Sequence, residues 1–277
     1  MAATTSTTLD DLFAKIIARA RFTAEEQSLM LGLVTMYDIA GDEGKVIQVP
    51  KYPAITAAAL TEGTDMSSTT VSTSSVDITV AEVGAQVVLT DLAAMGSGNP
   101  ADDLGTVLGN SIATKIDIDL LALFDGFSSA LGAAGQEITV ADIFKAAATL
   151  RTAKAQGDIF AVVHPFQAYQ LKANLTNTFA NPNGGDTQNT AMVNAYVGTI
   201  AGIDIYESAN IVVDGSDDAK GAVFSREALA IAMKRDFQIE TQRDASLRAW
   251  ELNATAIYGV GELDDTYGVE MLFDSAI

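Results

Sequence analysis

The stretch LTEGTDMSSTTVSTSS at residues 60–75 separates two β-rich segments, KVIQVPKY at 45–52 and VDITVAEVGAQVVLT at 76–90. Most of its side chains are small and polar, and Met66 and Val71 are among its few large apolar residues. Such a segment cannot bury enough apolar surface to offset the entropy that it loses when it is ordered. We therefore expect residues 45–90 to form one long hairpin whose polar tip is held by another copy of the chain.

The two β-rich segments carry further signals. Pro50 marks the first as an edge strand, because proline cannot donate a ladder hydrogen bond. In the second, large apolar residues occupy even positions up to Val80 and odd positions from Val83. A phase change of one residue predicts a β-bulge near 81–83. A two-stranded ribbon is marginal in isolation, so we expect it to lie against something else.

The chain before the hairpin has helical patterns. Residues 9–20 repeat apolar side chains at helical spacing, and Thr23 with Glu26 forms a capping box for a second helix that is expected to reach about Tyr37. Gly41 and Gly44 are expected to end it.

A long helix is predicted after the hairpin. Asn99-Pro100 is a strong helix start, because Asn caps and Pro suits the first helical position. Apolar residues then recur every four positions, at Leu104, Leu108, Ile112, Ile116, Leu120 and Phe124. Such a row drifts about 40° per step around a helix nearly 40 Å long. The two ends of this helix should therefore contact different neighbours.

The rest of the chain mixes helix and strand, which gives an α+β fold class. We expect a linker over 126–136, a helix from Thr139 and Asp142 to about Lys154, and a strand, a turn at His164-Pro165 and a helix over 158–175. The remaining expectations are a flexible loop at 181–189, a glycine-containing turn into a strand at 196–208, a surface turn at 212–221, and strands over 224–242 and 247–273.

Composition restricts the class of protein. The net charge of −20 argues against a protein that grips nucleic acid, and it suits a chain kept soluble by self-repulsion or a container wall that does not stick to DNA. There is no cysteine, no run of 18 apolar residues, and no N-terminal pattern typical of a signal peptide.

No catalytic, cofactor or metal site is indicated. His164 is interpreted as a turn residue, since no GxSxG accompanies it, and GDEGKV at 41–46 lacks phosphate-loop spacing. Asp214, Ser216 and Asp218 alternate as in a calcium loop, but Ala219 and Ser225 replace its glycine and glutamate. The pairs Asp102-Asp103 and Asp264-Asp265 are interpreted as solvated helix-start and turn residues. We expect no enzyme and no cofactor.

In their order along the chain, these features resemble the major capsid protein of a tailed double-stranded DNA bacteriophage with the Hong Kong-type capsid fold. The resemblance includes TEGTDM (61–66), VVHPFQAYQL (162–171), VGTIAGIDIYES (197–208) and the long strands that begin at 234 and 247. It implies an N-terminal arm at 1–44, an extended loop at 45–91, a peripheral domain at 92–136 and 233–258, and an axial domain at 137–232 and 259–277.

The resemblance also implies partners. Pentamers and hexamers would form an icosahedral shell around a double-stranded DNA genome, with a portal, decoration or cement proteins, and no sequence-specific DNA contact or membrane. The location would be the virion capsid, with assembly in the host cytoplasm. Contacts between subunits are expected at ten residues: Leu60, Glu62, Gly63, Thr64, Asp65, Met66, Leu9, Phe13, Pro182 and Asn183.

Two family features are not expected here. Helix signals begin by Leu9, which leaves no room for a cleaved scaffolding segment, so a separate scaffolding protein is implied. Residues 52–114 contain no lysine, and Lys45 and Lys51 lie at the loop base, so we expect no covalent crosslinking between subunits.

Three alternatives stay open. An encapsulin-type nanocompartment shell would have the same fold and would hold protein cargo. A secreted adhesin or surface-layer protein would have a similar acidic, cysteine-free composition, but β-repeats and a signal peptide are not found. An enzyme is the remaining alternative, although no site supports it.

Overall fold

The computed structural model describes residue 19 and residues 28–41, 44–53, 55–57, 59–63, 65–66, 68, 70–92, 100–178 and 196–276. Twelve strands and three α-helices lie in these ranges. The strands are β1 (Thr35–Asp38), β2 (Val46–Lys51), β3 (Ser74–Thr79), β4 (Ala81–Thr90), β5 (Ala130–Gly132), β6 (Ile159–Val163), β7 (Tyr196–Ile200), β8 (Ile203–Glu207), β9 (Asp218–Ser225), β10 (Leu229–Asp244), β11 (Ala249–Glu262) and β12 (Gly268–Asp274). The helices are α1 (Pro100–Leu121), α2 (Val140–Thr152) and α3 (Pro165–Thr178), with short 3-10 turns at Met30–Gly32, Ala122–Gly126 and Asp265–Tyr267.

The first sheet has four strands in the order β1-β10-β11-β4. Its two long central strands are antiparallel, and the even positions of β11 from Leu252 to Tyr258 are buried, as the sequence pattern predicts. This face packs against α1 in one apolar core. The opposite face of β10 contributes Ala230 and Ala232 to a small second cluster.

The second sheet has six strands in the order β5-β12-β9-β6-β8-β7. Helices α2 and α3 cover one face, where Ile143, Leu150 and Leu171 are fully buried. The strand β6 is apolar throughout because both of its faces are buried: Ala161 and Val163 belong to the helix-covered core, whereas Phe160 and Val162 belong to the core that contains α1.

Helix α1 joins the two sheets. It spans 22 residues, or about 33 Å, and packs on β4 and β11. Its apolar row is buried from Leu108 to Leu120 and continues through Phe124 in the following 3-10 turn. The Phe124 ring lies 5.4 Å from the ring of Phe224 in the six-stranded sheet. The prediction that the two ends of this row meet different neighbours is confirmed.

The prediction of one hairpin over 45–90 is wrong beyond Thr79. Strands β2 and β3 pair only with each other, and β4 leaves them to pair with β11. The change of apolar phase marks this change of partner at Val80, which lies between the two strands, and no bulge was found there. Strands β2 and β3 together are called the ribbon below, and residues 52–73 the ribbon loop.

Two other predictions are corrected. Residues 35–38 form strand β1, parallel to β10, instead of the end of a helix, because the free edge of β10 supplies hydrogen-bond partners for this β-branched and aromatic segment. The expected linker at 126–136 contains β5, which pairs with β12. The patterns at Thr23 and Glu26 and at 181–189 lie outside the described residues, and so does the pattern at 9–20 apart from residue 19.

Several local signals are confirmed. The Thr139 backbone N–H donates to the Asp142 carboxylate over 3.1 Å, which completes the capping box of α2. Strand β6, His164 and the helix that begins at Pro165 follow one another as predicted. None of the described helices combines the length and apolar character that a membrane span requires. Mixed helices and largely antiparallel sheets make the fold α+β.

Candidate assembly surfaces

The ribbon loop is the most exposed part of the described chain. Every described residue between 52 and 73 is exposed, and none belongs to a helix or strand. Gly63 has a positive φ of 80°, in a turn that glycine adopts without strain. The loop nevertheless carries large apolar side chains with 40–74% exposure: Tyr52, Ile55, Leu60, Met66 and Val71. Apolar groups at this density, without a core beneath them, indicate a surface for a partner.

Half of the contact residues predicted from the sequence can be placed. Leu60, Glu62, Gly63, Asp65 and Met66 are exposed on the ribbon loop. The other five predicted contacts lie outside the described residues: Thr64, Leu9, Phe13, Pro182 and Asn183. The contact of each residue with another subunit stays a prediction.

A second surface lies on the outer side of α1. A shallow, open groove runs between this helix and the edge strand β4, and its lining includes Val83, Lys115 and Ile118. Val107 on the same helix is 57% exposed. The helix therefore presents apolar side chains outward as well as toward its core.

Asp117 is an anchor that the sequence analysis did not identify. It is 1% exposed, and its carboxylate accepts hydrogen bonds from Ser28 Oγ at 2.7 Å, from the Leu29 backbone N–H at 3.2 Å and from the Met30 backbone N–H at 3.1 Å. Burial raises the pKa of Asp117, and these hydrogen bonds oppose the rise. The sequence held one signal for this buried carboxylate: Asp117 directly follows Ile116, which belongs to the apolar row of the helix.

The residues considered for chemistry have structural roles. His164 lies at the turn into α3, burial lowers its pKa, and its ring is 5.2 Å from the ring of Phe166. Asp214 accepts from the backbone N–H groups of Ser216 and Asp218, as a turn residue does. In the described ranges, no three histidine or acidic side chains lie where they could share a metal ion.

Comparison with known proteins identifies the family to which the chain belongs. The model of a family described as phage capsid protein matches residues 73–270, which is most of the chain. The chain belongs to the phage capsid protein family. No curated protein sequence matches it.

Solved capsids share the fold of this capsid subunit. The capsid of the cyanophage P-SCSP1u matches with a TM-score of 0.73 and 17% identity, over 90% of this chain and 89% of that chain. The head of the Helicobacter pylori bacteriophage KHP40 matches with a TM-score of 0.70 and 11% identity, over 90% and 91% of the two chains. A virus-like particle from Pyrococcus furiosus matches with a TM-score of 0.65 and 10% identity, over 94% and 98%. The Hong Kong-type fold expected from the sequence is thus confirmed.

Family and fold together make this chain a shell-forming, structural capsid protein of a tailed phage. The fold alone does not separate a phage capsid from other particles, because a structure described as a virus-like particle from Pyrococcus furiosus shares it. The family match does separate them: the matching family is described as phage capsid protein, which favours the phage capsid over an encapsulin-type shell.

Proposed function

We propose that this chain is the major capsid protein whose pentamers and hexamers close an icosahedral shell around a double-stranded DNA genome. The observation that supports the proposal is the ribbon loop, whose described residues are all exposed in a single chain and include five large apolar side chains. A second copy that covers these groups would supply the apolar burial that the loop lacks. Many copies of one modest contact, repeated by symmetry, produce a stable shell.

The contact that we propose joins the ribbon loop of one subunit to the neighbouring subunit. Leu60 and Met66 are 66% and 74% exposed and would be its apolar centre. Glu62 and Asp65 would flank them, and Gly63 would allow close approach. The groove between α1 and β4 is a suitable receiving surface, because it is open and partly apolar.

The domain assignment follows the same proposal. Residues 1–44 would be the arm and 45–91 the extended loop, whose strands β2 and β3 do not pair with the four-stranded sheet. The peripheral domain at 92–136 and 233–258 would contain α1, β5 and most of β10 and β11. The axial domain at 137–232 and 259–277 would contain α2, α3 and the other strands of the six-stranded sheet.

Other partners belong to the proposal. A separate scaffolding protein would direct shell closure in the host cytoplasm, a portal would occupy one vertex, and decoration proteins could bind outside. The net charge of −20 suits a wall that encloses DNA without binding a particular sequence.

Sedimentation and negative-stain imaging of the purified protein, with and without its scaffolding protein, test the proposal. Closed shells, tubes or capsomer rings support it. A monodisperse particle near the chain mass of 28.9 kDa under both conditions would contradict it.

A charged residue at the loop tip tests the contact itself. Met66→Asp should abolish assembly, because it places a carboxylate in the proposed apolar centre. Val212→Asp is the matched control, since Val212 is 75% exposed and belongs to a different part of the chain. Assembly of Met66→Asp at wild-type levels would refute the loop contact and leave the capsid assignment intact.

The contents of native particles separate the two shell functions. DNA inside particles supports the phage capsid. A single packaged protein without DNA would instead support the encapsulin-type compartment.

A further inference from the structure

The base of the ribbon lies unusually close to β11. A Cβ atom at Gly259 would stand 2.4 Å from the backbone oxygen of Thr79, and one at Gly261 would stand 2.8 Å from the Ile78 side chain. Neither glycine has a positive φ, so the need is for space and not for an unusual backbone conformation. Gly259 and Gly261 therefore present no side chain toward the ribbon, and the ribbon base rests on their backbone. This contact is called the glycine seat below.

Apolar contacts secure this seat. Ile78 and Val80 are 1% and 5% exposed, and they pack with Ala230 and Ala232 on the face of the four-stranded sheet that α1 does not cover. Close packing of this kind resists displacement, because movement would open a cavity or create a clash. The base of the ribbon is thus the fixed end.

Val49 of β2 is partly buried against the same apolar cluster, and beyond it the distal end of the ribbon is held by charge. Lys51 is the last residue of β2, and its Nζ lies 2.8 Å from Oδ2 of Asp264, beyond the end of β11. The other carboxylate oxygen of Asp264 accepts from the backbone N–H and the hydroxyl of Thr266, at 3.1 and 2.8 Å. Asp264 is therefore already oriented for Lys51, which reduces the entropy cost of the ion pair.

Neighbouring carboxylates add to the attraction. Burial raises the pKa of Glu262, and the charges of Asp265 and Asp264 raise it further. Lys51 opposes that rise, so its positive charge acts on Glu262 as well as on Asp264. The side chain of Lys51 is nevertheless 45% exposed, which leaves the ion pair accessible to water and salt.

We propose that the glycine seat and the Lys51–Asp264 ion pair together set the orientation of the ribbon within a single subunit, and that the ion pair is the releasable part. Release leaves the base packed on β11 and frees the distal end, together with the loop that follows it. The contact of the oriented loop with a neighbouring subunit rests on the proposed function. The glycine seat and the ion pair do not depend on it, because both lie within one chain.

Hydrogen exchange on the unassembled subunit tests the ion pair, since no neighbour then covers the ribbon. Lys51→Ala should speed exchange of the amides from Ser74 to Asp77 by about threefold to fivefold, the upper part of the range for exposed ion pairs. Lys51→Arg should exchange like the wild type, and Lys51→Glu faster than Lys51→Ala because it adds a like charge. Lys172→Ala is the control, because it breaks a Lys–Glu pair of similar exposure away from the ribbon.

The ion pair and the glycine seat are tested separately. Equal exchange in the Lys, Ala and Glu forms would overturn the ion pair as a restraint, whether or not the protein assembles. Gly259→Ala tests the seat, and it should speed exchange around Thr79 more than any Lys51 variant does. Unchanged exchange in Gly259→Ala would overturn the seat. If that variant does not fold, the Lys51 series still decides whether the distal end is releasable.

Discussion

Replacement of Asp117 tests how the segment at 28–34 is fixed to α1. In Asp117→Ala the Met30 backbone N–H, which is fully buried, loses its acceptor, and so do the Leu29 N–H and the Ser28 hydroxyl. Each buried donor left unsatisfied costs about 1–3 kcal/mol. Removal of a buried charge returns part of that cost. We expect Asp117→Ala to lower the free energy of unfolding by about 2–4 kcal/mol.

Asp117→Asn separates charge from shape. Its amide oxygen can still accept from Ser28 and Met30, but its amide nitrogen is a donor that faces the N–H of Leu29. The expected loss is about 1–2 kcal/mol, measured by urea denaturation of the unassembled subunit. Asp103→Asn is the control on the same helix, at an exposed position, where the expected change is within about 0.5 kcal/mol.

The pH dependence of this loss has a defined sign. Burial raises the pKa of Asp117 in the folded protein, so ionisation is less favourable there than in the unfolded chain. Its contribution to stability is full below the pKa of the unfolded chain and declines as pH rises through the raised folded pKa. Asp117→Asn does not titrate, so its deficit should be larger near pH 4 than at pH 7. A deficit that grows with pH, or an Asn variant as stable as the wild type, would refute this account.

Three further predictions follow from packing and charge. Phe124→Ala should cost about 3–5 kcal/mol of unfolding free energy in urea, because Phe124 is fully buried, whereas Phe144→Ala, at 54% exposure, should be close to neutral. Thr139→Ala should cost about 1 kcal/mol, seen in the same assay, because the capping box of α2 loses its hydroxyl. Mature particles should give only monomers on a denaturing gel, since residues 52–114 contain no lysine and Lys51, at the loop base, is paired with Asp264 of its own chain; a ladder of larger bands would contradict this.

The sequence predicted those elements whose signal is local. The helix start at Thr139 and Asp142, the proline that opens α3 and the alternation along β11 each specify their structure within a few residues, and each was found. The start of α1 at Pro100 belongs to the same group. Periodicity and capping are short-range physics, so a single sequence is enough to reveal them.

The sequence-based predictions were wrong where a strand's pairing partner lies far away in the chain. Thr35–Asp38 follows a helical pattern but becomes a strand because the edge of β10 is free to pair with it. The phase change near Val80 was correctly located, but a change of partner from β2 to β11 produces it as readily as a bulge does. Local sequence does not contain the identity of a strand's partner, which is set by tertiary packing.

The proposed assembly surface was easier to locate in the sequence than to specify. A segment without a core is visible in the sequence as small and polar residues, and the described residues of the ribbon loop were all found exposed. The devices that orient it depend on residues more than 170 positions away, such as Gly259 and Asp264, whose roles appear only when β11 and the ribbon are brought together.

The glycine seat and the Lys51–Asp264 ion pair differ in strength, and their roles in the ribbon differ accordingly. A steric seat cannot be weakened by salt, and an exposed ion pair can. The fold thus places its permanent contact at the base, where failure would unfold the ribbon, and its weaker contact at the distal end, next to the loop. A subunit that must stay soluble alone and also reach a neighbour needs both properties: a ribbon that stays folded without a partner, and a loop whose direction can still change when one arrives.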